Sequence, residues 1–580
     1  MFFLSTWTFI VSSAVFGNGY LLRRYCFKEI ENSNPFINFF LGIILIGFLS
    51  SSVSLFTNIN ILVSTLFYSS GVIGSFYFLK RNLFYRKYHF QQILTVVTFL
   101  SIILFFSYKD YPYFSDTDVY HYQLVKWNKN YGTVKGLANL SIFFGLNSYW
   151  HSIAAVFDKF SLEGRTPWIL PILSYSSTLF YFSWEVCFSS KPWARLYSCL
   201  VLSWLSINIL TWGFPSLHYD FLPLVFNILV TFEILKLFEK DNLSTKISHY
   251  TFIFTLAVTS FVLKPLTITS LLFCSLTIFW ILHKTYALNI RSIIHILIIP
   301  TLIIVSWLTK NTMISGYPVF PSPHLSIETP WTTPKASVID IFNDILYWAR
   351  TPGPDFRANI DKGFSNWFPI WLENMLISKR AWPIGIIPLL TGTIIWFFAI
   401  IKLPEKRNAI YIFCWMLFSI LFWFATAPDI RFGDGLFIAY LGTSIFFIAN
   451  FKTNKIMIRL STWLNYCIMI TLCVSMYTFL IVGKRGPISL YSINKYLPGP
   501  VKLVNAGKEG EGLKVWTPHS IASCTSNNET MICLDHIMPL YKEIPACGNA
   551  PLPCTTSIPK GLRMFRPGDL SKGFFIDIGN

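Results

Sequence analysis

The chain has 580 residues, of which 53% are hydrophobic and only 13% charged, against about 25% charged in soluble domains. With 56 Phe and a mean hydropathy of +0.51 it falls outside the disordered, collagenous and small disulfide-scaffold classes, and it reads as a polytopic membrane protein. Its formal charge of +18 comes from Lys and Arg grouped between apolar runs, a topology signal and not a basic face interleaved with stacking aromatics, so nucleic acid is not an expected partner.

A helix needs about 20 apolar residues to cross the hydrocarbon core. Spans are expected at 3–21, 36–56, 61–79 and 91–108, ahead of a long connection at 109–166. The first span lacks a basic leader and a small-residue cleavage site, so it is read as a retained helix and not as a signal peptide. Six more spans, at 167–188, 196–212, 217–235, 249–263, 265–282 and 292–309, precede a second long connection at 310–382. The last four, at 383–401, 408–426, 433–450 and 460–483, lead into the C-terminal segment 484–580. The expected fold is all-α with about fourteen transmembrane helices. Membrane stretches 1–108, 167–309 and 383–483 alternate with the segments 109–166, 310–382 and 484–580.

Alternate short loops carry the positive charge. One set holds Arg23, Arg24 and Lys28; Lys80, Arg81, Arg86 and Lys87; Lys191 and Arg195; Lys236, Lys240 and Lys246; Lys284 and Arg291; Lys402, Lys406 and Arg407; and Lys452, Lys455 and Arg459. The other set holds only Lys264 and Arg431. By the positive-inside rule the first set is cytoplasmic, and both termini and all three long segments lie outside. The same parity divides 249–282 into two short helices with Lys264 at the outer turn before Pro265. Lys484 and Arg485 depart from the rule, but they open a long segment, where the rule weakens.

Of the 11 cysteines, Cys26, Cys187, Cys199, Cys274, Cys414, Cys467 and Cys473 lie in or beside apolar spans, where free Cys behaves as a small hydrophobe. Cys524, Cys533, Cys547 and Cys554 share the Pro/Gly-rich C-terminal segment and read as two disulfides of open pairing, stapling a cap over the membrane domain. Zinc is the competing reading, and no Cys-x-x-Cys pair supports it.

The stretch with the most chemistry is Phe114-Ser115-Asp116-Thr117-Asp118-Val119-Tyr120-His121-Tyr122. A helix is expected from Thr117 to Asn130, stopping at Gly132, with Asp118 and His121 on one face and Asp116 at its N-terminal end. Asp116 or Asp118 is the expected general base, with Tyr120 and His121 as polar neighbours that contact substrate. The bland alternative is that Ser115 or Asp116 only caps the helix. A cap accounts for one carboxylate and leaves the second Asp, the His and the two Tyr unexplained. Asp220, Lys264, Asp429 and Arg431 fall at outer helix ends, where Lys264 and Arg431 can hold a lipid phosphate and Asp220 joins the substrate site; the alternatives are snorkelling to headgroups for the two cations, a helix cap for Asp220 and pairing with Arg431 for Asp429. Trp331, Trp348, Trp367, Trp371 and Trp382 in the second long segment read as an interfacial belt, and His151 and His218 as isolated structural histidines.

An early outer loop reading Asp-x-x-x-Tyr-His, met by Asp116, Tyr120 and His121, resembles the GT-C superfamily of membrane glycosyltransferases. Tyr131-Gly132-Thr133-Val134-Lys135-Gly136-Leu137-Ala138-Asn139, Ser315-Gly316-Tyr317-Pro318-Val319-Phe320-Pro321-Ser322 and Ala550-Pro551-Leu552-Pro553-Cys554 are similar to a largely uncharacterised bacterial group of this architecture. The resemblance implies a polyprenyl-phosphate-linked sugar as donor and transfer to a glycan, lipid or protein acceptor on the periplasmic face of the bacterial inner membrane. The superfamily usually places its acidic loop after the first span. Here it follows the fourth, which implies three additional N-terminal helices. No cofactor is required by the sequence; two carboxylates can hold a divalent metal together with water and substrate phosphate, and no metal ligand is assigned. A transporter or flippase of lipid-linked glycans is the rival class, but no internal repeat is visible and the polar residues gather at one face instead of the midplane. An O-antigen polymerase or ligase matches the span count and lacks the Asp116 loop.

Overall fold

Lipid offers no hydrogen bonds to a backbone, so the apolar runs of this chain satisfy their own as helices. The computed structural model describes residues 2–27, 34–82, 116–159, 166–212, 219–239, 247–284, 289–353, 356–359, 362–402, 406–451, 501–506, 513–518, 547, 550–555 and 557–577. The chain opens with α1 (Phe2–Cys26), α2 (Ile37–Ser54) and α3 (Ile61–Asn82). A π-turn at Thr117–His121 then leads into α4 (Tyr122–Asn130), α5 (Leu137–Leu140) and α6 (Tyr149–Phe157). Next come α7 (Ile169–Phe188), α8 (Pro192–Trp212), α9 (Phe221–Glu239), α10 (Ile247–Leu263), α11 (Ile268–Lys284) and α12 (Ile290–Ser315). Two helices of the second long segment follow, α13 (Lys335–Arg350) and α14 (Phe364–Ile377), then α15 (Ile387–Lys402), α16 (Lys406–Thr426) and α17 (Ile430–Phe451).

Among the described residues, eight helices are long and apolar enough to cross a membrane: α2, α3, α9, α11 with its leading turn, α12, α15 with its leading turn, α16 and α17. The protein is thus a helical membrane protein. α10 is a shorter apolar helix, and α1, α7 and α8 form where spans were expected. The expected spans at 91–108 and 460–483 lie outside the described residues. Burial separates the bundle into shells. α9 and α17 are 89% and 83% buried, whereas α12 and α15 are only 33% buried. Ile290, Ile294, Ile298, Leu302 and Val305 form an exposed stripe along α12 at helical spacing, as a lipid-facing helix requires.

The first three helices cross at contact distance. A Cβ on Gly17 of α1 would stand 1.7 Å from the Gly71 carbonyl oxygen of α3, and one on Gly19 would stand 1.7 Å from the Asn38 carbonyl oxygen of α2. Small residues at such crossings let backbones approach and gain dispersion where lipid supplies no hydrophobic drive. Asn18, between the two glycines, donates to the Phe67 carbonyl at 2.8 Å and accepts from the Ser70 hydroxyl at 2.9 Å.

The C-terminal segment carries strands that the all-α expectation did not include: an antiparallel pair β1 (Val501–Asn505) and β2 (Lys514–Pro518), and a second antiparallel pair β3 (Leu562–Met564) and β4 (Phe574–Ile576). Runs of three to five residues are too short for their alternation to register against the apolar background of this chain. Cys547 and Cys554 form a disulfide, while Cys524 and Cys533 lie outside the described residues. Between the paired cysteines, the Ala550 carbonyl accepts from Lys126 Nζ at 2.6 Å and from Gln123 Nε2 at 3.2 Å, both on α4. The Phe574 amide donates to the Lys135 carbonyl at 3.0 Å, and its ring is buried against Trp127. The cap is therefore built onto the segment that carries Asp116.

Candidate functional site

The sequence predicts an α-helix from Thr117; the first turn is instead a π-turn, closed by the Tyr122 amide on the Thr117 carbonyl, and α-geometry begins at Tyr122. The Asp118 side chain lies outside the described residues. Asp116 sits at the N-cap position in helical geometry without a side-chain capping hydrogen bond, so the capping account of this residue fails.

Instead Asp116 faces a charged cluster drawn from three other helix ends. Its Oδ2 is 4.0 Å from Nη1 of Arg431, in the first turn of α17. Arg431 Nε lies 3.9 Å from Oδ2 of Asp220, just ahead of α9, and 3.5 Å from Oδ2 of Asp429. Asp429 also accepts the Arg431 amide at 2.9 Å, fixing the turn into α17. Lys264, in extended backbone between α10 and a 3-10 turn at Pro265–Thr267, is ion-paired to Oδ1 of Asp220. Both cations lie against one aromatic ring: Lys264 Nζ is 3.3 Å and the Arg431 guanidinium carbon 4.5 Å from the Phe432 ring centre.

Exposure orders these groups. The Asp116 side chain is 39% accessible, whereas those of Asp220, Arg431, Lys264 and Asp429 are 14–18% accessible. Asp116 is thus the most accessible of the five, and the ion-paired cluster is more deeply covered. The surrounding protein desolvates the Asp116 carboxyl and raises it above its ordinary value; Arg431 opposes the rise, Asp220 adds to it and Lys264 opposes it. Burial lowers the Lys264 ammonium, with Asp220 pulling the other way.

Behind Asp116 lies a buried polar layer. Tyr120 is buried, stacked on Phe143 at 5.6 Å, and its phenol is pushed up by burial. His121 is buried as well, its Nδ1 2.9 Å from Nε2 of His151 on α6, with Tyr219 edge-on to both rings. His151, read from sequence as isolated, is therefore half of a histidine pair. Burial, with Lys310 adding to the effect, pushes its imidazole down to about 3. Lys310 donates to Asn128 Oδ1 at 2.7 Å and Ser152 Oγ at 2.8 Å, tying α12 to α4 and α6. His218 lies outside the described residues.

One turn below Arg431, Asp434 meets Arg380 at 2.6 Å, and Arg380 also donates to Asn208 at 2.7 Å. Sequence reading passed over this pair and over Phe432. The signal was present in Asp429-Ile430-Arg431-Phe432-Gly433-Asp434, three charges entering an apolar run. Lys310 was passed over too, although it is a charge directly after the expected span end at 309; α12 continues through it to Ser315. Of the belt tryptophans, Trp348 and Trp382 are exposed, while Trp371 donates to the Pro428 carbonyl at 2.6 Å and thereby braces the Asp429 turn. Arg350 covers the buried Trp367 ring at 4.6 Å, and Trp331 lies under Lys135. Among the described residues, no group of three or more His, Cys, Asp or Glu is arranged to hold a metal ion. The site carboxylates face Arg431 and Lys264 instead.

The chain belongs to a protein family described as a domain of unknown function (DUF8201), which matches residues 1–438. Asp116, Asp220, Lys264, Asp429 and Arg431 all fall within the matched residues, and the C-terminal cap falls beyond them. No curated protein and no solved structure matches the chain.

Proposed function

We propose that this protein is a membrane glycosyltransferase that moves a sugar from a polyprenyl-phosphate-linked donor to a cell-envelope glycan, lipid or protein acceptor on the periplasmic face of a bacterial inner membrane. The observation that carries the reading is the convergence of an accessible, uncapped Asp116 with the cation pair Lys264 and Arg431 at one end of an apolar helical bundle. An acceptor hydroxyl loses its proton to the Asp116 carboxylate, and its oxygen forms a bond to the anomeric carbon. The anomeric carbon–phosphate oxygen bond breaks on the opposite side, and the electron pair leaves with the polyprenyl phosphate, giving inversion. Lys264 and Arg431 stabilise the charge that grows on that leaving group. A raised carboxyl suits a base that must take up a proton and release it again within a turnover.

The test is the surface-glycan profile of a deletion strain complemented with wild type or Asp116→Asn at matched membrane levels. Restoration by wild type alone supports a catalytic carboxylate, and the mass shift of the restored band names the sugar. Equal restoration by both removes Asp116 from the chemistry and moves transport of lipid-linked glycans ahead.

A further inference from the structure

Two adjacent cations out of bulk water repel each other unless an anion lies between them. Here that anion is Asp220, one oxygen on Lys264 and the other 3.9 Å from Arg431, while both cations contact the Phe432 ring. Its carboxylate presents two oxygens to two cations, as one edge of a phosphate group does. Arg431 is not satisfied by this arrangement. Its three carboxylate neighbours stand 3.5–4.0 Å away, beyond the 2.7–2.9 Å of a charge-assisted hydrogen bond, and its buried Nε has no hydrogen-bond partner among the described residues. The carboxylates neutralise the guanidinium without filling its donors. Asp220 also has somewhere else to go: it directly precedes α9, whose first turn offers the Phe221 and Leu222 amides (Pro223 has none), and amides there are unpaired within the helix and favour a carboxylate.

We propose that Asp220 is a displaceable internal counter-ion, which occupies the seat between Lys264 and Arg431 that a phosphate headgroup takes, and moves toward the first turn of α9 when that phosphate arrives. This rests on the phosphate-binding role proposed above for the two cations. It assigns Asp220 a function distinct from that of Asp116: the resident carboxylate keeps the cation pair neutral while the site is empty and sets how strongly a ligand must bind to enter. A ligand carrying less negative charge than a phosphate ester displaces it poorly, so Asp220 is a specificity-determining residue.

The experiment uses full-length protein in lipid nanodiscs: wild type, Asp220→Asn, Asp220→Ala, and each of these carrying Lys264→Met with Arg431→Gln. Each is taken as monodisperse protein and titrated with farnesyl phosphate and with inorganic phosphate. Removing a unit charge at this distance is worth at least about a tenfold change in affinity. Both Asp220 variants are therefore expected to bind farnesyl phosphate about tenfold tighter than wild type or better, and the gain is expected to vanish in the Lys264→Met, Arg431→Gln background. Equal or weaker binding by both Asp220 variants, with binding still dependent on the cations, overturns the counter-ion role and leaves the phosphate-binding reading standing. Binding that ignores the cation substitutions overturns that reading and this inference together. Tighter binding of farnesyl phosphate than of inorganic phosphate assigns the seat to a lipid headgroup, and equal affinities overturn a lipid source.

Discussion

Replacing His151 with Gln tests the buried layer behind Asp116 through the pH dependence of stability. In the folded protein, burial and Lys310 hold the His151 imidazole at about 3, against an ordinary value of 6.5, and its Nε2 faces Nδ1 of His121. Below pH 6.5 the unfolded chain binds a proton at this residue that the folded chain refuses. The stability contributed by the neutral imidazole is thus complete above pH 6.5 and is lost as the pH falls toward 3. The loss amounts to about 1.4 kcal/mol at pH 5.5 and about 2.7 kcal/mol at pH 4.5. Gln retains a hydrogen-bonding group toward His121 and does not titrate. Wild type and His151→Gln in the same mixed micelles, unfolded by denaturant at pH 7.5, 6.5, 5.5 and 4.5 and followed by Trp fluorescence, should differ in slope. The wild-type curve should fall relative to the variant by about 1.4 kcal/mol per pH unit below 6.5. Parallel curves from pH 6.5 to 4.5 would refute the neutral buried histidine and with it the role given to Lys310.

Asp434→Ala leaves the Arg380 guanidinium buried without its carboxylate, and should cost about 3–5 kcal/mol of stability by denaturant unfolding; a cost within 1 kcal/mol, about that of a surface pair, would show the guanidinium to be solvated. Gly17→Leu forces α1 away from the Gly71 carbonyl, so the monodisperse yield and the thermal midpoint should both drop, and Gly363→Ala, which meets open space, should change neither. Joint replacement of Cys547 and Cys554 by Ser releases the loop that presents Ala550 to Gln123 and Lys126. Hydrogen exchange should then rise in 122–130 and stay constant in 221–239, and unchanged protection of 122–130 would show that the cap does not brace α4.

Much of the site could be read from single residues. Asp116, Asp220, Lys264, Asp429 and Arg431 stood out because charges beside apolar spans are costly to keep. The structure brings all five to one place. The two-helix reading around Lys264-Pro265 also matches, because Pro ends one helix and starts the next by its backbone chemistry alone. Relations between residues close in sequence were legible, as in the pairing of Asp429 with Arg431. Relations across the chain were not: His151 was judged alone because its partner lies on a different helix.

The sequence by itself determined the class of this protein, where the apolar helices among the described residues run, and which charged residues needed an explanation. Each of these follows from transfer energies and backbone hydrogen bonding, which act on a few consecutive residues. Only the tertiary structure decided that Asp220 lies between two cations, that Cys547 pairs with Cys554, and that the cap closes on α4. Those outcomes depend on how helices distant in sequence cross, and the crossings are set by contacts such as Gly17 on Gly71 and Gly19 on Asn38. Packing of that kind is a property of pairs of surfaces, and neither surface carries a record of its partner in its own stretch of chain.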